Sequence, residues 1–263
     1  MYPRPGVPVE SNPHSLVIVS GASSGIGLAL ARGAPWPRSR VIDISRRGAP
    51  GLEHLAADLA DPAQWGRVET FLASEIEAFA GERVVFVHAA GTLEPVGFAG
   101  EVDPAAYRRA VLLGAACPQV LGAAFLRAAR ATRAQCHLVM ITSGAAHSVY
   151  QGWSAYGAGK AAIDQWVRTT GAEQARRGGR VRVLAVAPGI VATAMQEQIR
   201  ATPAGDFPEV ARFIDLFQTG QLREPSRVAA EIWALLDRDL PNGAVVDLRE
   251  PAASATVPSA ESR

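Results

Sequence analysis

The sequence predicts an α/β protein: one domain built on a doubly wound parallel sheet with helices on both faces. Three observations carry this. Near-continuous apolar runs of strand length recur along the chain, helix-length patterns separate them, and the first run ends in a glycine-rich turn that opens a helix. Strands covered on both faces read as unbroken apolar runs, and the helices between them are the crossovers that parallel neighbours need.

Taken in order, the first strand is Leu16–Val19, continuing through Ser20 into Gly21-Ala22-Ser23-Ser24-Gly25-Ile26-Gly27 and a helix-like stretch from Ile26 to Arg32. The later strand-like runs are Arg40–Ile44, Val84–His88, His137–Thr142, Val181–Ala185 and Ala244–Leu248. Helical patterns fill Pro62–Ala80, Pro104–Ala131, Tyr156–Arg177 and Ser226–Asp237. Right-handed crossovers turn this alternation into a doubly wound sheet, which binds ligands beyond the carboxyl ends of its strands. The segment Gln196–Leu222 is longer than an ordinary connection and mixes prolines and glycine with Phe207, Phe213, Ile214 and Phe217. It reads as a fixed surface helix pair, a cap over a ligand, or both. Residues 1–14, with four prolines, and residues 250–263, rich in Ala, Ser and Pro, read as flexible tails around a domain at residues 15–249. No internal repeat and no second domain are apparent.

Composition narrows the function classes. A chain of 263 residues, 48% apolar, is large enough to bury a substantial core. With 26 basic and 25 acidic residues the formal charge is +1, which gives no footprint for nucleic acid. Cys117 and Cys136 are too few for a disulfide framework or a four-thiolate zinc site, so both are expected to pack, one on a helix and one before a strand. No uninterrupted apolar stretch of the ~18 residues of a membrane span is evident, and the first fourteen residues do not read as a signal peptide. A soluble protein of the reducing cytoplasm fits these features.

Two motifs carry chemistry. Strand, glycine turn and helix together form the context of a dinucleotide fingerprint: glycines let the backbone turn sharply and approach a pyrophosphate, whose charge then sits at a helix N-terminus. The spacing here is G-x-x-x-G-x-G, with Gly21, Gly25 and Gly27. The second motif is Tyr156 with Lys160, four apart and therefore on one helix face, and Ser143 thirteen residues upstream. A free phenol, with a pKa near ~10, is a poor acid-base group at neutral pH, and a neighbouring ammonium brings it toward working pH. Phenol, ammonium and hydroxyl are the set one carbonyl/alcohol redox site would use.

In this order, the glycine loop, Asp58-Leu59, Ser143, Tyr156/Lys160 and Pro188-Gly189 resemble the single-domain branch of the short-chain dehydrogenase/reductase family over roughly Leu16 to Leu248. Ile44-Ser45-Arg46-Arg47, Gly152-Trp153-Ser154-Ala155-Tyr156, Ala187–Val191 and Met195–Arg200 look like its benzil reductase and sepiapterin reductase-like group. The resemblance implies a Rossmann-type catalytic domain with NADP(H) as cofactor and a small-molecule carbonyl as substrate. It also implies a homodimer or homotetramer, packed through the helices Pro104–Ala131 and Tyr156–Arg177. No metal, nucleic acid or membrane partner is expected.

Roles follow residue by residue. The resemblance assigns the cofactor to Gly21, Ser23, Ser24, Gly25, Ile26 and Gly27 of the loop, and to Ala89, Ala90 and Gly91 after the Val84–His88 run. Asp58 and Leu59 would meet the adenine, while Pro188, Gly189, Ile190 and Thr193 would hold the carboxamide of the nicotinamide. At the end of the second strand stands Ser45, followed by Arg46 and Arg47; both the hydroxyl and the Arg46 guanidinium could donate to a 2′-phosphate. Asp43 shares a face with Ser45 and is the one carboxylate able to favour a ribose hydroxyl instead. Tyr156 is expected to protonate the substrate oxygen, Ser143 to orient it, and Lys160 to bind the nicotinamide ribose and lower the Tyr156 pKa. His147, Tyr150, Trp153 and Met195 are candidate pocket residues, with Leu93 and Phe213 behind them. Trp153 serves equally as packing.

Two departures from the family pattern stand out. His88 and Ala89 replace its paired asparagines, and His88 reads as a satisfied structural residue. Gly114 replaces the asparagine that holds a relay water on Lys160, and a water in the vacated space is the expected substitute. The competing functions are an NAD(P)-dependent alcohol dehydrogenase and a non-catalytic NADP-binding sensor.

Overall fold

The computed structural model describes residues 14–250. The expected tails lie outside those residues except at their inner ends. His14 is tied to the sheet, its N–H donating to the Arg38 carbonyl and its own carbonyl accepting from the Glu82 N–H.

The strands are β1 Ser15–Ser20, β2 Ser39–Ser45, β3 Glu53–Ala56, β4 Arg83–His88, β5 Gln135–Ile141, β6 Val181–Ala187 and β7 Val245–Asp247. The helices are α1 Gly25–Arg32, α2 Trp65–Ala78, α3 Pro104–Val111, α4 Cys117–Ala128, α5 Ser154–Arg176, α6 Ala194–Ala201, α7 Val210–Gln218 and α8 Pro225–Ala234. All seven strands are parallel, in the order β3-β2-β1-β4-β5-β6-β7. The order reverses beside β1, so the crevice between the ends of β1 and β4 is the switch point where such sheets bind ligands.

Alternation along each strand divides the core. Leu16, Ile18, Phe86, Leu138 and Met140 face α2, α4 and α5, with Phe86 and Phe125 rings 5.7 Å apart. Val17, Val19, Val85, Val139 and Val186 face α1 and α8, where Trp36 meets Trp233 edge-on at 5.4 Å. A smaller cluster of Leu93, Trp153, Ile199, Phe207, Val210 and Phe213 joins α6 and α7 to the start of α5. The Gln196–Leu222 segment is therefore a fixed helix pair, and it also covers the site described below.

Several elements differ from the sequence reading. The edge strand β3 was not expected. Cys136 lies within β5 rather than before it, and both cysteines are buried and free. The Pro104–Ala131 pattern is helical throughout, but a π-helical turn, Leu112–Ala116, joins α3 to α4. By length and a mean hydropathy of 1.5 this stretch is apolar enough to cross a bilayer, although Gln119 and Arg127 interrupt it. Here it forms one layer of the fold, packed on α2, α5 and β5. Asp61, the better cap candidate by its place directly before Pro62, does cap that turn, accepting from the Ala63 N–H at 3.1 Å.

Candidate active site

One cavity of about 470 Å³ opens at the carboxyl ends of β1, β4, β5 and β6 and runs from the glycine loop to the inner faces of α6 and α7. Every residue expected to touch the cofactor lines it, from Gly21 to Thr193, and so do Ser143, Tyr150, Trp153 and Met195. Leu93 and Phe213 line it too.

Its floor is shaped by glycine. Gly21 has φ +75°, in the left-handed region, and a Cβ there would stand 2.7 Å from the Ala90 Cα. This close approach lets the turn after β1 and the turn after β4 meet, with the Ala89 N–H donating to the Ser20 carbonyl at 3.1 Å. A Cβ on Gly27 would collide with the Gly21 carbonyl oxygen at 2.3 Å, so only glycine brings α1 this close to its strand. Ser24 stands at the N-cap of α1 but makes no side-chain capping bond. The first-turn N–H groups are left for an anion at the positive end of the helix. A Cβ-free cradle at an uncapped helix start fits the diphosphate of a dinucleotide.

At the adenosine end, the Asp43 carboxylate is fully buried, accepting from the Ala22 N–H at 3.1 Å and from the Ser45 hydroxyl at 2.8 Å. Asp43 thus braces the glycine loop. The same bond corrects the expectation for Ser45: its one proton goes to Asp43, and its oxygen accepts from Gly48 N–H, so it has no proton for a phosphate. Arg46 and Arg47 are exposed at the cavity rim. Asp58 pairs with Arg109 at 2.7 Å and accepts from the Ala60 N–H. Burial pushes the Asp58 carboxyl up, but Arg109, the Ala60 N–H and the nearby Arg46 charge outweigh it and hold it below its ordinary value. Arg109, on α3, is a lining residue that sequence reasoning missed, because nothing local distinguishes it from the adjacent Arg108; Ala106 and Ala110 of the same helix line the cavity beside it.

At the other end, Ser143 follows β5, and its Oγ accepts from the Ala145 N–H at 3.2 Å, which leaves the hydroxyl proton free to donate. The Ser143 hydroxyl faces the Tyr156 phenol across the cavity. Burial raises the Tyr156 phenol above its ordinary value, and the Ser143 hydroxyl brings it only part of the way back. This is opposite to the expected lowering by Lys160, whose Nζ stands 5.6 Å from the Tyr156 ring centroid. Lys160 is 6% exposed, donates to the Ile141 carbonyl at 2.8 Å, and is drawn down to about 8 by burial, with Asp164 acting in the opposite sense.

Two further expectations are corrected. His147 does not reach the cavity; it is a surface residue whose Nε2 lies 2.9 Å from Asp164 Oδ2. His88 is only half satisfied: Nδ1 meets the Ser20 hydroxyl at 3.0 Å, while the buried Nε2 has no partner. Burial, then the Lys160 charge, pull its pKa down to about 3, so the imidazole is neutral. Around Gly114 there is room: a Cβ there would meet only the Gly159 Cα, at 3.9 Å, whereas a Cβ on Gly159 would stand 3.1 Å from the Gly114 carbonyl. Trp153 is 6% exposed and stacks on Phe207 at 4.4 Å and 12°, so one ring face belongs to the core.

Parallel sheet, glycine cradle and the Ser143, Tyr156 and Lys160 cluster on one cavity define a dinucleotide-dependent oxidoreductase architecture. Residues 15–204 match the family profile described as short chain dehydrogenase, and the chain belongs to that family. It is 32% identical over 239 residues to a benzil reductase ((S)-benzoin forming) of Bacillus subtilis, covering 89% of this chain and 98% of the relative. It is 29% identical to the sepiapterin reductase of Bos taurus, covering 89% and 94%. The crystal structure of the KRED1-Pglu enzyme superposes with a TM-score of 0.75 at 27% identity, covering 88% of this chain and all of that one.

Proposed function

We propose that the protein is an NADPH-dependent carbonyl reductase acting on a ketone or dicarbonyl. The observation that carries this reading is the convergence of Ser143, Tyr156 and Lys160 on the cavity that the glycine cradle opens. When bound, a nicotinamide cofactor supplies hydride to the carbonyl carbon. The protein supplies the rest. Ser143 directs its free proton at the carbonyl oxygen, and Tyr156 gives up its own as negative charge develops there, so both donors favour the transition state over the ground state. A phenol raised by burial is a protonated phenol at neutral pH, the form that reduction requires. Lys160, beside the ring, stabilises the phenolate left behind and would hold the nicotinamide ribose.

NADPH is favoured over NADH by charge. Asp43 is withdrawn into the core, while Arg46 and Arg47 stand free at the end of β2 for a 2′-phosphate. The substrate end is walled by Leu93, Trp153, Met195, Ile199 and Phe213, which suits a bulky or aromatic ketone; the benzil reductases among its relatives agree with that. The same reading makes it a cytoplasmic homo-oligomer that packs through α3, α4 and α5.

The test is oxidation of NADPH and NADH over a panel of aromatic ketones and 1,2-diketones. Activity with NADPH, lost in Tyr156→Phe while cofactor binding persists, is the expected result. A wild type that binds NADPH yet reduces nothing in the panel would make the protein a non-catalytic binder.

A further inference from the structure

Of the 26 Lys and Arg residues, Lys160 alone is lysine. It is buried, and its Nζ donates its hydrogen bond to a neutral group, the Ile141 carbonyl. An ammonium out of water needs a counter-charge. The π-helical turn, Leu112–Ala116, carries no charged side chain, and Gly114 and Gly159 meet there backbone to backbone. From β4 the neighbour is His88, which is neutral. On α5 itself the neighbours are Tyr156, one turn back, and Asp164, one turn on.

Asp164 is an unusual carboxylate. It is 1% exposed, and neither of its oxygens has a well-formed hydrogen bond. His147 Nε2 stands at ion-pair distance from Oδ2 without hydrogen-bond alignment. The Thr142 hydroxyl, which donates to the Lys160 carbonyl at 3.3 Å, lies beside the carboxylate, and Arg168 faces it from the next turn. Burial holds the Asp164 carboxyl above its ordinary value, with Thr142, His147 and Arg168 pulling it back toward ionisation. A buried charge so poorly satisfied destabilises the fold unless another buried charge makes use of it.

We propose that Asp164 is the positioning residue for Lys160: its buried charge, one helical turn away, keeps the ammonium protonated through neutral pH. Thr142, between Ile141 and Ser143, lies beside the carboxylate on the segment that carries both the Lys160 acceptor and the serine. Burial alone draws Lys160 down, and Asp164 is the group that draws it back up. The proposal rests on the reading of Lys160 as the support of Tyr156.

The single lysine makes the test direct. Full-length protein grown with isotope-labelled lysine gives one side-chain resonance, whose pH titration reads Lys160 alone. The wild type is expected to titrate near pH 8. Asp164→Asn should move that midpoint down by about one to two pH units, the size expected for unit charges roughly 6 Å apart at an effective dielectric of ~20. The alkaline limb of kcat/KM should move with it, which a packing defect would not produce. A folded Asp164→Asn protein with an unmoved Lys160 midpoint overturns the proposal. Should that variant not fold, the wild-type titration decides: a midpoint below about pH 7 means that no charge holds the ammonium. The resonance reports whether or not any ketone is reduced. A protein inert over the whole panel but with a shifted midpoint would sink the reductase reading and leave this one standing.

Discussion

His137 offers the sharpest test of how this fold handles buried charge. It lies on β5 facing the α1/α8 side, 1% exposed, with no partner on either ring nitrogen. Its register neighbours are Val85 on β4 and Arg182 on β6. Burial, and then the charges of Arg182 and Arg83, pull its pKa from 6.5 to about 4, with Asp237 opposing weakly. The folded state therefore refuses a proton that the unfolded chain accepts. Its contribution to stability is whole above pH ~6.5 and is lost as pH falls toward ~4, below which it changes no further. The gap between 6.5 and about 4 corresponds to about 3 kcal/mol, a sizeable part of the roughly 5–15 kcal/mol that holds a domain folded. His137→Leu removes the titrating group and two unsatisfied nitrogens at similar volume. Urea unfolding of both proteins, followed by tryptophan fluorescence at steps between pH 7.5 and pH 4, isolates the effect, because His88 and every carboxylate are common to both. The variant's advantage should grow by about 3 kcal/mol across that range. Parallel pH dependences would refute the reasoning and mean that His137 finds a proton acceptor in solution.

Two further outcomes follow from the site. Arg46→Ala should raise the Kd for NADPH roughly tenfold or more and leave NADH within about twofold, the loss expected of a charge-assisted bond to a phosphate. Calorimetric titration of both cofactors reads this, and equal losses would place the 2′-phosphate elsewhere. Trp153→Ala should lower stability by about 3–5 kcal/mol, because the ring is stacked on Phe207 inside the α6/α7 cluster. A variant with unchanged Tm but a raised KM for aromatic ketones would instead make Trp153 a substrate platform.

The sheet was legible because its five inner strands carry the near-continuous apolar runs that double-sided burial demands, and the short edge strand β7 still presents Val245 and Val246. The seventh, Glu53–Ala56, was not, since it is an edge strand bonded to β2 alone and mostly exposed, and its sequence Glu-His-Leu-Ala carries no such run. The π-helical turn at Leu112–Ala116 was equally hidden. It changes which carbonyl each N–H meets while leaving the residues on either side in helical pattern, so periodicity runs straight through it.

The candidate site divides along the same line. Glycines and the Tyr156/Lys160 spacing were readable because local backbone geometry fixes them: the Gly21 turn and the helix face of α5 need no knowledge of distant residues. What the site does with protons depends on pairs far apart in the chain. Asp58 is held by Arg109, 51 residues on, and Ser20 by His88, 68 residues on. His147 looked like a pocket residue because it falls between Ser143 and Tyr156, yet the turn after Ser143 aims it away from the cavity at Asp164. Ser45 and Asp43 were correctly placed on one face, but alternation could not reveal that they bond to each other and so leave the rim to the arginines. Motif spacing therefore names the groups that meet at this cavity, while burial and remote partners set the charge each carries there. That second layer decides whether Tyr156 arrives as an acid and Lys160 as a cation.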